Sequence, residues 1–323
     1  MNKRDVFKIY RTIKSDSNFV IFDSDGVLLN CYGDYLKQRG YSIRVLNLCN
    51  PLVGHGYNPL SYISNDLESF QLCAFIVNLL SQKHDETQNE IRLQSILLSS
   101  LCLYLLKYRP KHEQNFMSVM KLLKAAENRG QNSSTKSTLD RLFDEVNEIG
   151  NSSIPLKEYL WVYSTGYKKY MVALSLYAKL SIFLTKPMSN ITYLDTLNIY
   201  DLCSSMKIAL FVTYPSCDSE VRFLGDILDF QLNILLSKER CHRHISLIRH
   251  DSSSVTILNN IASTSHRYDI DHSTYEQVMN ELEPVGEMLH PQKLSKNNNK
   301  EDRREYDYSS VLDGTDDETW NFD

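Results

Sequence analysis

The stretch around residues 19–29 most constrains what this chain can fold into. Phe19-Val20-Ile21-Phe22 is an unbroken apolar run of aromatic and β-branched residues, and it stops at Asp23-Ser24-Asp25-Gly26. A strand that is apolar at successive positions is buried on both faces, as inside a parallel sheet. A short helix is expected before it. A second helix is expected after it, from about Leu28 to Arg39, with Gly40 as its stop. Ser42-Ile43-Arg44-Val45-Leu46-Asn47-Leu48 then reads as the next strand. Strand, turn, helix, glycine, strand is one βαβ unit. The Pro- and Gly-bearing segment from Asn50 to Pro59 reads as loop.

From about Ser64 to Met206 the periodicity is helical. Helices are expected over Phe70 to Ser81, Asn89 to Lys107, Phe116 to Ala126, Thr138 to Ile149 and Leu156 to Leu184, with a polar loop from Asn128 to Ser137. The second of these has an apolar stripe wide enough for burial on most sides. A strand returns at Ile208 to Thr213, followed by a turn and a helix that Ser216 or Asp218 could cap. Beyond about Ser237 the chain turns polar with weak periodicity. Its last thirty or so residues are charged, Asn-rich and acidic, a composition that reads as disordered. The expected organisation is an α/β segment over 1–65, an all-α block over 66–205, a return strand and helix over 206–240, and a divergent polar segment and tail over 241–323.

With 323 residues, 42% hydrophobic and 23% charged, the chain can bury a sizeable core. A net charge of -5 argues against binding nucleic acid over the whole surface, though not against a local basic patch. The seven cysteines are odd in number, form no Cys-x-x-Cys pair and sit mostly in apolar runs, as expected of small buried hydrophobes in a reducing compartment. The N-terminus lacks the apolar core of a signal peptide. The longest apolar run, Ser95 to Leu106, is too short for a membrane span, so no membrane anchor is expected.

Three stretches carry a family resemblance: Asn18 to Leu29, Leu36 to Leu48, and Gly56-Tyr57-Asn58-Pro59-Leu60-Ser61-Tyr62-Ile63. They resemble the TraG/TraD-type coupling proteins of type IV secretion. In that family a buried strand ends in Asp-Pro-Lys-Gly-Glu, a helix leads to Gly-Tyr, a strand ends in Asn-Leu, and Tyr-Asn-Pro-Leu follows. The similarity continues at Glu113 to Glu127 and at Ala209 to Ser219, so that the series covers roughly residues 18–236. It implies a RecA-like parallel sheet, here partial, carrying a large inserted all-α domain that faces substrate and the relaxase–DNA complex. The implied role is in conjugative DNA transfer. The implied partners are a relaxase or its DNA complex, intact coupling-protein subunits and single-stranded DNA. The implied location is cytoplasmic, or peripheral at the inner face of the plasma membrane through partners.

The departures bear on chemistry. Intact family members use ATP and Mg²⁺. A phosphate-binding loop of the Gly-Lys-Ser/Thr kind cradles phosphate on backbone N–H groups and neutralises it with its lysine. None of the eleven glycines here is followed by lysine. In the family that loop precedes the first strand seen here, so a truncated or degenerate homologue is expected. The family's metal-holding Asp-Glu pair is replaced at its nearest counterpart by Ile245-Ser-Leu-Ile-Arg-His-Asp251, with one acid. The family lysine of Asp-Pro-Lys-Gly is Asp25 here. No catalytic residue, cofactor or metal ligand is therefore expected, and the chain is read as non-catalytic.

Three local patterns suggest other chemistry. Asp23-Ser24-Asp25-Gly26-Val27 resembles the first motif of haloacid-dehalogenase-type phosphatases. There Asp23 would be the nucleophile and Asp25 the acid/base on Mg²⁺, with Thr213 as the required hydroxyl. The plainer reading is a solvated strand-to-helix turn, with Asp25 favoured by the helix dipole. Cys241, His242, His244, His250, His266 and His272 are poorly spaced for zinc and read as a polar segment. Lys168, Lys169, Lys179 and Lys186 alternate with Tyr163, Tyr167, Tyr170 and Tyr177. That pattern could stack and neutralise a single strand, but it more often marks a packed face with a solvated lysine edge.

Overall fold

The computed structural model describes residues 3–81, 86–126, 137–148, 169–216, 221–238, 241–251 and 254–259. Helix α1 (Lys3–Ile13) precedes β1 (Asn18–Ser24), α2 (Val27–Gln38) and β2 (Ser42–Asn47). The helical block comprises α3 (Asp66–Ser81), α4 (Gln88–Tyr108), α5 (Phe116–Ala125), α6 (Thr138–Glu148), α7 (Lys169–Leu180) and α8 (Lys186–Tyr193). Then come β3 (Ile208–Tyr214), α9 (Phe223–Lys238), β4 (Ile245–Asp251) and β5 (Ser254–Asn259). The class is α/β, with the helical block inserted between β2 and β3.

Among the described residues the sheet has the order β2-β3-β1-β4-β5. The first four strands are mutually parallel, and β5 returns antiparallel on β4. β1 is central and buried at all seven positions. Phe19 and Ile21 face α1 and α2, packing with Ile9, Ile13, Leu28 and Leu36. Val20 and Phe22 face the other way, into a core that runs without a break through α9 and the helical block. Burial on both faces is why the run reads as continuously apolar.

α2 ends as expected from Gly40, which has φ +83°. Its N–H donates to Lys37 O (3.0 Å) and that of Tyr41 to Leu36 O (3.1 Å), the paired bonds of a Schellman stop.

Several expectations change. The segment from residue 241, expected to be divergent and polar with weak periodicity, supplies β4 and β5. Ile245, Leu247 and Ile248 are buried against β1 and its neighbours, and the polar residues between them hid the strand. α9 begins at Phe223. Ser216 does not cap it, because it lies well before the helix start, and Asp218 lies outside the described residues. The long helix expected from Leu156 to Leu184 is described only from Lys169. It ends at Leu180, where a 3₁₀ turn takes over (Ser181–Leu184).

The cysteines are not uniformly small buried hydrophobes. Cys73 and Cys102 are buried, Cys31 and Cys49 are exposed, and Cys203 and Cys241 form a disulfide. Cys217 lies outside the described residues.

A partial sheet would be expected to leave raw strand edges. The β2 edge is instead blunted by the following loop. Val45 O accepts the His55 N–H (2.8 Å), and the Val45 N–H donates to His55 Nδ1 (3.2 Å). Gly54 permits the approach, since a Cβ there would lie 2.8 Å from Val45 O.

Candidate functional site at the carboxyl edge of the sheet

β1 leads through α2 to β2 on one side, while neighbouring β3 leads through α9 to β4 on the other. In an open α/β sheet the crevice outside such a pair of strands is where ligands bind. The sequence places Asp23-Ser24-Asp25-Gly26 and Thr213-Tyr214-Pro215-Ser216 there, with His250 and Asp251 at the end of β4. Register sets Asp23 between Thr213 and His250.

Asp23 is fully buried. Its Oδ1 accepts the N–H of Leu28 (2.9 Å) and its Oδ2 that of Leu29 (2.8 Å). These are two of the donors that a helix leaves unpaired in its first turn, so Asp23 caps α2 from the end of the strand. Burial pushes its carboxyl above the ordinary value, against the opposing pull of those two N–H groups and His250. His250 Nδ1 lies 3.3 Å from Asp23 Oδ1. That nitrogen is buried and makes no hydrogen bond.

Asp25 is exposed and left-handed (φ 57°), a conformation that Asp tolerates better than most residues. Its Oδ1 accepts the Ser216 N–H (2.9 Å), while its own N–H donates to Tyr214 O (2.8 Å). The Ser216 N–H holds its carboxyl below the usual range. This reciprocal pair bridges the turns after β1 and β3.

On the sheet's other face, Tyr214 Oη donates to Asp251 Oδ1 (2.7 Å). Burial, then Asp251, pushes the phenol well upward. Arg249 pairs with Asp229 of α9 (2.6 Å) and lies over the Phe22 ring, 4.5 Å from its centroid.

This geometry does not favour the phosphatase reading. Both oxygens of Asp23 are committed to α2, and Asp25 braces the neighbouring turn. The Thr213 hydroxyl is buried and donates to Asn47 Oδ1 (3.1 Å). The solvated-turn reading is corrected too, since Asp23 is buried and Asp23, not Asp25, takes the helix terminus.

The zinc reading is not supported among the described residues, where no group of three or more His, Cys, Asp or Glu could hold a metal. Cys241 is in the disulfide and His250 sits beside Asp23, while His266 and His272 lie outside the described residues.

Lys179 is no part of a solvated edge. Its side chain is 3% exposed, paired with Glu86 and donating to Ser81 (2.6 Å) and Gln94 (2.6 Å). Tyr163, Tyr167 and Lys168 lie outside the described residues.

The motif after β2 turns out to be a clamp. Gly56 O accepts the N–H groups of Thr196 (2.9 Å) and Leu197 (3.0 Å), and Tyr57 N–H donates to Ile191 O (2.8 Å). Asn58 Oδ1 caps the 3₁₀ turn Pro59–Tyr62 at Leu60 N–H (3.1 Å), and its Nδ2 reaches Gln114 O (2.7 Å). Tyr57 is buried and donates to Gln231, whose Nε2 returns to Pro59 O (2.9 Å). The helical block and α9 meet on these five residues.

The family model for the type IV secretory system conjugative DNA transfer proteins matches residues 7–239, from within α1 to the end of α9. The chain belongs to that family. Among solved structures this family member is similar to the unbound monoclinic form of the bacterial conjugative coupling protein TrwBdeltaN70. Identity there is 16% over 75% of this chain and 52% of that one, with a TM-score of 0.48. It is also similar to the plasmid coupling protein TrwB in complex with ADP and Mg²⁺, at 16% identity over 73% of this chain and 50% of that one, TM-score 0.47. The conjugative DNA transfer chain thus spans about half the length of those structures. No curated protein matches it.

The sequence named Asp23, Asp25 and Thr213 together under the phosphatase reading, and His250 under the zinc reading. The structure brings Asp23, Thr213 and His250 side by side. Tyr214 and Asp229 had no sequence signal beyond lying in apolar runs.

Proposed function

We propose that this conjugative DNA transfer homologue acts as a non-catalytic interaction module that docks a relaxase, its DNA complex or intact coupling-protein subunits. One observation carries the reading. At the switch point, where a nucleotide phosphate could be met by the first turn of a helix, the Asp23 carboxylate already occupies the α2 N–H groups. A second anion there would meet a buried carboxylate rather than open donors. Beside it, Asp25 and Ser216 tie together the turns after β1 and β3. The sequence supports the same reading, since no glycine is followed by lysine.

The test has two arms on the full chain. Incubated with ATP and Mg²⁺, the purified protein should release no phosphate above background. Immobilised, it should retain a conjugative relaxase, bare or with its nicked DNA, or an intact coupling protein, and Asp23→Asn should leave that retention unchanged. Turnover of ATP abolished by Asp23→Asn, or retention of none of these partners, overturns the proposal.

A further inference from the structure

Cys203 and Cys241, 38 residues apart in sequence, are joined by a disulfide. Cys203 closes the 3₁₀ turn Ile199–Cys203, the last element before β3. Cys241 lies on the approach to β4. The bond therefore fastens the end of the helical block to the strand that flanks β1 on the side away from β3. It sits at the amino ends of these parallel strands, opposite the carboxyl-edge site.

The same corner is also knit by hydrogen bonds. Asn18, the fully buried first residue of β1, donates from Nδ2 to Leu202 O (2.8 Å) and accepts the Ile208 N–H at Oδ1 (2.9 Å). Its own N–H donates to His244 O (2.7 Å), and the His242 N–H donates to Cys203 O (3.0 Å). These four bonds hold the segments around both sulfurs whether or not the sulfurs are bonded. Reduction therefore leaves the two thiols near each other, as a bond that can re-form requires. The bond is also within reach of solvent. Cys203 is buried, but Cys241 is half-buried and His242 beside it is exposed. A small thiolate can approach from the Cys241 side.

What the bond restrains is the last two strands. β4 pairs with β1, and β5 pairs with β4 as the final strand of the sheet. β4 carries His250 to Asp23 and Arg249 to Asp229. A covalent anchor just before β4 limits how far this edge can part from β1. Without it, β4 and β5 can open as a local unit while the larger core stays folded.

We infer that Cys203–Cys241 is a redox lock on the β4–β5 edge, opened by a low-molecular-weight thiol of the glutathione class and closed by the corresponding disulfide. In opening, one thiolate attacks the Cys241 sulfur. The S–S bond breaks and Cys203 leaves as a thiolate that takes up a proton. A second thiolate attacks the mixed disulfide and releases Cys241, which is protonated in turn. The protein gains two electrons and two protons, the two small thiols lose them and become one disulfide, and closing is the reverse.

The test equilibrates the full chain in glutathione buffers from oxidised to reduced and back. Peptide mapping should show the Cys203–Cys241 link in oxidised buffer, its loss in excess reduced glutathione without denaturant, and its return. Amide hydrogen exchange is then compared in the two states, over times at which α4 stays protected in both. Exchange over 245–251 and 254–259 should be about tenfold faster or more in the reduced chain. Cys241→Ser should exchange like the reduced parent in every buffer. The reduced parent, which carries no substitution, decides the matter if that variant does not fold. A link that never forms in oxidised glutathione overturns the inference. So does one that native-state reduction cannot open, which would make it a permanent staple, and so does edge exchange that is equal in the two states.

Discussion

Asp23 and Asp25 are two residues apart, chemically identical, and do different work. Asp23 is a buried cap with both oxygens spent on backbone N–H groups, and Asp25 is an exposed brace. Asp23→Ala removes a cap and leaves two first-turn donors of α2 buried without an acceptor. It should cost about 2 kcal/mol or somewhat more. Asp25→Asn keeps an oxygen for the Ser216 N–H and should stay within about 0.5 kcal/mol of the parent. Urea unfolding of the two variants checks this contrast, and equal losses would contradict the assigned roles. Sequence reading found both residues because carboxylates at a strand end are conspicuous. It could not rank them, because which carboxylate turns inward depends on the pleat of β1 and the placement of α2.

At the scale of elements, the 56–60 clamp and the Glu68–Lys238 pair tie the helical block to the rest, and the Glu86–Lys179 pair is a second acid–base anchor within the block. A Cβ on Gly56 would press into Leu194 O and crowd Ile191 O, and both are backbone atoms that cannot swing aside. Gly56→Ala should therefore cost about 3 kcal/mol, at the upper end of overpacking effects, measurable as a fall in the urea midpoint.

The two anchors make stability depend on acid. Burial alone would push the carboxyl of Glu86 up. The hydrogen bond from Lys179, with those from Gln94 and Ser81, outweighs burial and holds it below its ordinary 4.5. Glu68 behaves alike, its burial outweighed by Lys238 and Ser64. A carboxyl lowered on folding contributes stability that is present above its unfolded value and lost as pH falls through its folded one. Melting temperature should hold from neutrality to about pH 4.5 and then drop, and Glu86→Gln should flatten that drop. An unchanged slope in Glu86→Gln would show that Glu86 is not among the groups responsible.

Helices α2 to α6 were legible from periodicity to within a few residues, whereas α7 ends earlier than expected and α8 was not foreseen. Periodicity did not mark β4, whose Ser246, Arg249 and His250 mask the apolar pattern, and only the family resemblance pointed to Ile245–Asp251. Those polar residues are tolerated because Arg249 pairs with Asp229 and His250 sits against Asp23.

For the whole molecule, one core decides behaviour. The apolar cluster containing Val20 and Phe22 of the sheet is continuous with Leu97 and Leu101 of α4 and Phe183 beyond α7. Sheet and helical block should accordingly unfold in one transition, with far- and near-ultraviolet circular dichroism superimposing in urea. Two separated transitions would mean that residues 66–205 fold as a unit of their own. Among the described residues no helix is long and apolar enough to cross a membrane.

The sequence alone determined the α/β class, the βαβ start, the helical insertion and the family. Each of these rests on local periodicity or on an ordered series of short motifs, which need no knowledge of what packs where. Tertiary structure alone decided that the Gly56–Leu60 motif is a joint rather than a site, and that Lys179 is buried. It also decided that the carboxylate at the end of β1 fills the helix terminus where an anion would otherwise bind. Those outcomes depend on contacts between residues as far apart as Tyr57 and Gln231 or Asp23 and His250, and no sequence window holds both partners.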